Sequence, residues 1–282
     1  MKAYDEFIAG ESEYYVYTPS TAAQRLFFYP ICIGRFVYKP GYSLYRDSYD
    51  SYLLLYVQSG EITVHCGEKK EKATEGEFVL IDCYRPHGYF TNVGCDALWC
   101  HYDGPLAREY FELLTSRTCH VFTLDDSYQV IKKMNTIFQM FAEKQALREP
   151  LLSKHLTDIF TFMLLDSSGK TTDLVETGKI QEMVIYINEH ITEDLSVQRL
   201  AKMAMFSPYH FIRIFKKETG FTPHEYIVHV RINMAKFLLK NTKASVKDIC
   251  YNTGFSSESS FCVAFKKKTG HTPAEYRNRE LS

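Results

Sequence analysis

The last hundred residues contain one twenty-residue pattern twice, and a duplicated pattern of this size must fold as two copies of one small motif. Residues 207–226 laid over 257–276 give eleven identities at a constant offset of 50: Ser207/Ser257, Phe211/Phe261, Phe215/Phe265, Lys216/Lys266, Lys217/Lys267, Thr219/Thr269, Gly220/Gly270, Thr222/Thr272, Pro223/Pro273, Glu225/Glu275 and Tyr226/Tyr276. Upstream, Ser196-Val197 and Leu200 match Ser245-Val246 and Ile249 at an offset of 49. A one-residue slip between matched helical segments belongs in the turn of a helix-turn-helix, so two such motifs are expected. Phe211/Phe215 and Phe261/Phe265 stand one helical turn apart and are expected in the core, since so small a unit cannot cover both of its helices alone.

Helix signals surround the repeat. Ile180, Val184, Ile187 and Ile191 form one stripe, and Ser196 caps the helix carrying Val197, Leu200 and Ala201. Ser207-Pro208 opens the next helix, with proline at N1, and Gly220 closes it. Residues 223–239 then read as one continuous helix with Tyr226, Val230, Met234, Phe237 and Leu238 on its stripe. Seventeen residues span about 26 Å, which suits two modules entering successive major grooves about 34 Å apart.

The outward face of the third helix carries Tyr209, Ile212, Arg213 and Lys216, and its counterpart in the second copy carries Ser259, Cys262, Val263 and Lys266. Residues at the start of such a helix reach base edges and those further along meet phosphate. Arg213 can pair bidentately with guanine, and Tyr209 and Ile212 can meet thymine methyls. Candidate DNA-facing residues are therefore Ser207, Tyr209, His210, Ile212, Arg213, Lys216 and Lys217, with Ser257, Ser259, Ser260, Val263, Lys266 and Lys267 in the second copy. Lysine runs are commonly just solvated helix faces; recurrence at one place in both copies favours a role at phosphate. The overall charge of −1 conceals an asymmetry, net −6 over residues 1–169 and net +5 over 170–282, as expected if only one half meets phosphate.

The N-terminal half has another period. Short β-type runs at 31–38, 52–57, 62–66, 78–82, 88–91 and 97–102 are separated by turn signals at Pro40-Gly41, Ser59-Gly60, Gly67-Glu68, Glu75-Gly76, Arg85-Pro86 and Val93-Gly94, which indicates an antiparallel sandwich or barrel. Helical spacing takes over near Pro105, in Val130, Met134, Ile137, Phe138 and Phe141 and in Leu152, Leu156, Ile159, Phe160 and Met163; the barrel or a second subunit must cover these stripes. A polar stretch at 167–178 is the expected linker, dividing domains at 1–166 and 179–282. The eight cysteines, at 32, 66, 83, 95, 100, 119, 250 and 262, lack zinc-ligand spacing and read as reduced, mostly buried side chains. With no signal-peptide pattern and no apolar run of membrane-span length, a cytoplasmic protein is expected.

These residues resemble the AraC/XylS family of bacterial transcription regulators. The most specific match runs from Ile249 through Gly254-Phe255, Phe261, Phe265-Lys266-Lys267, Gly270, Thr272-Pro273 and Tyr276-Arg277. The resemblance implies an α+β multidomain chain: an N-terminal cupin-like antiparallel β-barrel with trailing helices, for effector binding and dimerisation, and a C-terminal all-α domain with two helix-turn-helix motifs. Tyr209 and Arg213 match first-module base-contacting positions. Val263 stands where the family often has arginine, so the second module is expected mainly to grip the backbone or to offer a methyl contact.

In sugar-responsive members the barrel mouth binds a monosaccharide, and the matching positions are Arg46, His87, Tyr89 and Trp99. Arginine and histidine can bond ring hydroxyls, and tryptophan can stack on a sugar face. Trp99 as a buried strand aromatic and His87 as a turn histidine are the plainer alternatives. No His-x-His pattern with a following Glu is present, so neither metal nor cofactor is expected.

The reading that follows is a sugar-responsive activator of carbohydrate uptake or catabolism genes, with double-stranded DNA and a small-molecule effector as partners, a homodimer, RNA polymerase as a further partner, and no enzymatic activity. Two rivals are a regulator with a non-sugar effector or none, its barrel serving dimerisation, and a cupin enzyme, for which no metal site or acid–base pair is evident.

Overall fold

The computed structural model describes residues 6–67, 69–117, 120–166 and 171–278, with side chains from 176 onward in the last stretch. Glu68, Cys119 and linker residues 167–170 lie outside the described residues. Two compact units result, Met1–Gly169 and Lys170–Ser282.

In chain order the first unit contains β1 (Glu13–Val16), α1 (Thr21–Leu26), β2 (Tyr29–Tyr38), β3 (Ser43–Arg46), β4 (Tyr52–Cys66), β5 (Lys69–Thr74), β6 (Phe78–Asp82), β7 (His87–Phe90), β8 (Cys95–Asp103), α2 (Ala107–Arg117), β9 (Val121–Phe122), α3 (Tyr128–Ala142) and α4 (Glu149–Asp166). All strand pairings are antiparallel, and β4 joins two layers: Tyr52–Tyr56 lies beside β6, while Thr63–Cys66 lies beside β7.

The Ser59-Gly60 pair expected as a turn lies instead inside the fifteen-residue β4, directly after a bulge at Gln58. Gly60 takes φ +77°, and a Cβ there would sit 2.3 Å from the Gly94 carbonyl oxygen. Glycine with positive φ serves a bulge as well as a turn, and pairing with β8 continues on both sides of the irregularity. Strand β5, Lys-Lys-Glu-Lys-Ala-Thr, was not expected as a strand because it buries only Ala73 and its charges suit a sheet flank.

Side chains alternate between two cores. Leu53, Leu55, Val57, Val79, Ile81 and Ala97 point into the barrel, and Leu54, Phe78, Leu80, Cys100 and Tyr102 point outward to helices. Burial on both faces accounts for the continuous apolar run in β4. The stripes Val130, Met134, Ile137, Phe138, Phe141 and Leu152, Leu156, Ile159, Phe160, Met163 complete the outer core. Their own barrel therefore covers them, and no second subunit is needed for that.

The second unit is helical: α5 (Thr171–Glu189), α6 (Val197–Met203), α7 (Pro208–Thr219), α8 (Pro223–Asn241), α9 (Val246–Asn252), α10 (Glu258–Thr269) and α11 (Pro273–Asn278). Helix α5 begins inside the stretch expected as linker, so residues 171–178 are helical. Ile180, Met183, Ile187 and Ile191 anchor it in the first-module core, which favours extending the helix through the polar residues ahead of them.

Helix α8 serves two cores at different angles around its axis. Ile227 belongs to the first and Ile232, Ala235 and Leu239 to the second, whereas Phe237, on the expected stripe, is 64% exposed. A single-stripe template fails on a helix shared in this way. Arg231 ties the modules together: Nε donates to the Ile191 carbonyl at 3.1 Å, Nη2 to the Glu193 carbonyl at 3.0 Å, and the guanidinium lies 5.8 Å from the Phe255 ring. Gly254 lies against the same group, where a Cβ would meet Ile191 O at 2.4 Å and Arg231 Nε at 2.9 Å. Arg231→Met is expected to cost about 1.5–3 kcal/mol, the range for hydrogen bonds made by a charged donor. Urea denaturation of the variant checks this, and an unchanged midpoint would show that the arginine ties nothing.

Candidate nucleic-acid interface and effector cavity

Nine of the eleven repeated identities have folding roles in both copies. Ser207 and Ser257 are N-caps, accepting from the backbone N–H of His210 and Ser260. Phe211, Phe215, Phe261 and Phe265 are completely buried. The Thr219 and Thr269 hydroxyls donate to the Phe215 and Phe265 carbonyls, and Gly220 and Gly270 end their helices at φ +77° and +79°. Thr222-Pro223 with Glu225, and Thr272-Pro273 with Glu275, start the following helices by reciprocal side-chain capping. Tyr226 and Tyr276 lie edge-on to Phe215 and Phe265 at 5.5 and 5.4 Å.

The remaining two identities are lysines. Lys216, Lys217, Lys266 and Lys267 are exposed, and among the described residues none of their side chains makes a hydrogen bond or ion pair. As last-turn cations they gain about 0.3–1 kcal/mol each from the helix dipole. Arginine or histidine would supply that equally, so the dipole alone does not explain adjacent lysines at matching places.

The offset slip is also resolved. Phe206 and Phe255 donate their N–H to the Ala201 and Cys250 carbonyls, so they correspond at offset 49, and Ser256 is the extra residue before α10. The turn places Met205 at φ +59° in the first module and Gly254 at +84° in the second.

On α7, Ser207, Tyr209, Ile212, Arg213, Lys216 and Lys217 share the exposed side, Tyr209 at 81%. His210 is half-buried, its ring against Phe206 and its Nε2 3.0 Å from the Glu176 carboxylate. With Nε2–H donating there, Nδ1 accepts from Arg213 Nη2 at 3.4 Å. His210 thus orients Arg213 from behind. On α10, Ser257, Ser259, Ser260, Val263, Lys266 and Lys267 are exposed, Val263 at 71%, while Ser260 spends its hydroxyl on the Ser257 carbonyl and Cys262 is half-buried.

In the first unit a cavity of about 270 Å³ opens into the barrel core. Arg46, Tyr89 and Trp99 line it as expected. His87 does not: it is buried outside the lining, with Nδ1 2.8 Å from the Arg85 carbonyl and Nε2 unpartnered. Its neighbour across the strand pair is Arg46, whose longer side chain reaches the cavity. Lining residues that sequence reasoning missed include Tyr14, Tyr38, Tyr42, Tyr49, Cys32 and His101. Tyr14 comes from β1, which carries no alternation signal, and Tyr42 and Tyr49 flank the short β3; a count of 21 tyrosines was the only hint.

Arg46 is the one charged side chain in the lining and lies 5.1 Å over the Tyr49 ring. His101 packs between Tyr49 and Trp99 and meets the Ser51 hydroxyl at 2.9 Å. Burial, reinforced by Arg46 and His87, pushes its pKa down to about 3, so it is neutral near pH 7. The seven described cysteines are unpaired, and burial raises Cys66 to about 11 and Cys95 to about 12, as befits inert thiols. Among the described residues no helix is long and apolar enough to cross a membrane.

Two family models match the chain, an AraC-like ligand binding domain over residues 30–178 and a helix-turn-helix domain over residues 200–279. Among curated proteins, the uncharacterized HTH-type transcriptional regulator YbfI of Bacillus subtilis is 32% identical over 117 residues, 42% of each chain. The HTH-type transcriptional activator RhaS of Enterobacter sp. is 28% identical over 144 residues, 51% of this chain and 50% of its own. The chain thus spans about half the length of these relatives. Among solved structures, the DNA-binding domain of AdpA in complex with a target DNA is 31% identical and covers 35% of this chain and 89% of its own, with a TM-score of 0.35. With an AraC-like barrel over half its length and a helix-turn-helix domain after it, the chain belongs to the AraC family of DNA-binding transcription regulators.

Proposed function

We propose that α7 reads base sequence, that α10 sets register by holding the backbone, and that a small molecule in the barrel cavity controls transcription. The observation carrying this reading is the unequal conservation within the repeat. Cores, caps and lysines recur, whereas the exposed Tyr209, Ile212 and Arg213 are replaced by Ser259, Cys262 and Val263. Equal backbone grip with unequal base readout is what such a pair supplies. Similarity to the activator RhaS supports activation, with RNA polymerase as a partner, in the cytoplasm where DNA is met.

A sugar effector draws support from Arg46, Tyr89 and Trp99 sharing one cavity. Homodimerisation rests on family resemblance alone, since the α3 and α4 stripes are already covered. Arg213→Ala is expected to relax preference at one base pair by about 1–3 kcal/mol. Lys267→Ala is expected to weaken binding to all sequences alike and to lower the log–log salt slope by about 0.9. Competition binding against single-base operator variants separates the two, and the reverse pattern would mean the faces are misassigned.

A further inference from the structure

We propose that the cavity takes a small carboxylate, its acid group paired with the Arg46 guanidinium and its apolar body laid against Phe36, Leu53, Leu55 and Trp99. This rests on the reading of the barrel as an effector domain and names the chemical class it admits.

A guanidinium stays charged at any physiological pH, and holding it away from water without an anion is costly. Arg46 is half-buried, and among the described residues its side chain makes neither a hydrogen bond nor an ion pair; the guanidinium lies against the Tyr49 ring face. Arg35 provides a contrast in the same barrel, with its Nη2 donating to Asn135 at 2.6 Å. No acidic or amide side chain answers Arg46, since the cavity lining holds no Asp, Glu, Asn or Gln.

A carboxylate answers the Arg46 fork more fully than an uncharged polyol does. Ring hydroxyls must donate as well as accept, and carboxylate or amide oxygens are the strong acceptors that satisfy them. Five tyrosine hydroxyls and the His101 imidazole also line the cavity and can donate or accept, whereas the Arg46 fork is the one charged group and only donates. A carboxylate accepts from the fork and from tyrosine hydroxyls, and bidentate pairing suits the planar fork. Phe36, Leu53, Leu55 and Trp99 make the apolar wall, and about 270 Å³ equals roughly nine waters of liquid volume, room for a compact acid.

The test is calorimetric titration of the full chain with three acids and their neutral amides: benzoate and benzamide, hexanoate and hexanamide, glucuronate and glucuronamide. At least one acid should bind, its amide at least tenfold more weakly. Arg46→Gln should weaken that acid at least tenfold while leaving amide binding and the thermal melt unchanged. Preference for benzoate or hexanoate would identify an apolar acid, and for glucuronate a sugar acid. The proposal is overturned if no acid binds, if an amide binds as tightly as its acid, or if Arg46→Gln binds the acid undiminished. Binding of a neutral sugar such as arabinose with Arg46→Gln unaffected would refute the carboxylate but keep the effector reading. Failure of all seven compounds would refute both.

Discussion

Phe211→Ala should destabilise the DNA-binding unit by about 3–5 kcal/mol, the usual cost of emptying a buried phenylalanine site, out of a typical total of about 5–15 kcal/mol. The ring is fully buried, 5.4 Å from Phe215, in a core also built from Ile180, Ile187, Leu200 and Ile227. These residues come from four helices, so the cavity cannot be closed by moving one of them. Denaturation followed by circular dichroism should show the loss, together with loss of specific DNA binding. Tyr209→Ala, two residues away and 81% exposed, should shift stability by less than about 0.5 kcal/mol yet still weaken operator binding. Comparable destabilisation by both substitutions would mean that α7 packs by a different face.

Acidification should destabilise the barrel through His101. Its folded pKa of about 3 lies below the ordinary histidine value of 6.5, so between those pH values the unfolded chain holds a proton that the folded chain refuses. Stability is therefore full above pH 6.5 and falls as pH drops toward 3, by about 1.4 kcal/mol per unit inside the window and on the order of 5 kcal/mol across it. The chain has one tryptophan, Trp99, 5.7 Å from His101, so its fluorescence follows this unit alone. Urea midpoints should fall from pH 7 to pH 4.5 in the natural chain and fall much less in His101→Gln. Equal slopes would place the acid sensitivity elsewhere.

Both helix-turn-helix modules were legible because their repeated residues are the ones that cap and fill small helices, and such roles are local. Ser207, Gly220 and Thr222 act within four residues of themselves, and Phe211 and Phe215 need only helical periodicity. The barrel was legible as a class from its turn glycines, but one of these, Gly60, lies inside a strand beside a bulge. The cavity was half legible. Arg46, Tyr89 and Trp99 lie in it, whereas His87 is buried outside it, Tyr14 and His101 enter from strands whose register depends on long-range pairing, and Tyr49 enters from a loop. The same holds for Arg231, whose acceptors lie forty and thirty-eight residues earlier. No local pattern marks a side chain that bonds two carbonyls of another module.

The most direct measurement is a salt titration of the full chain on a duplex selected from a random library, set beside an unrelated duplex. Affinity for the selected site should exceed that for the unrelated one by at least about 10³-fold and should fall steeply between 50 and 200 mM salt, the conditions over which phosphate contacts lose strength. Replacing Lys266 and Lys267 together by glutamine should lower the log–log slope by up to about 1.8, at roughly 0.9 per phosphate, without altering the preferred sequence. A flat salt response, or equal affinity for both duplexes, would contradict the assignment of α7 and α10 to DNA.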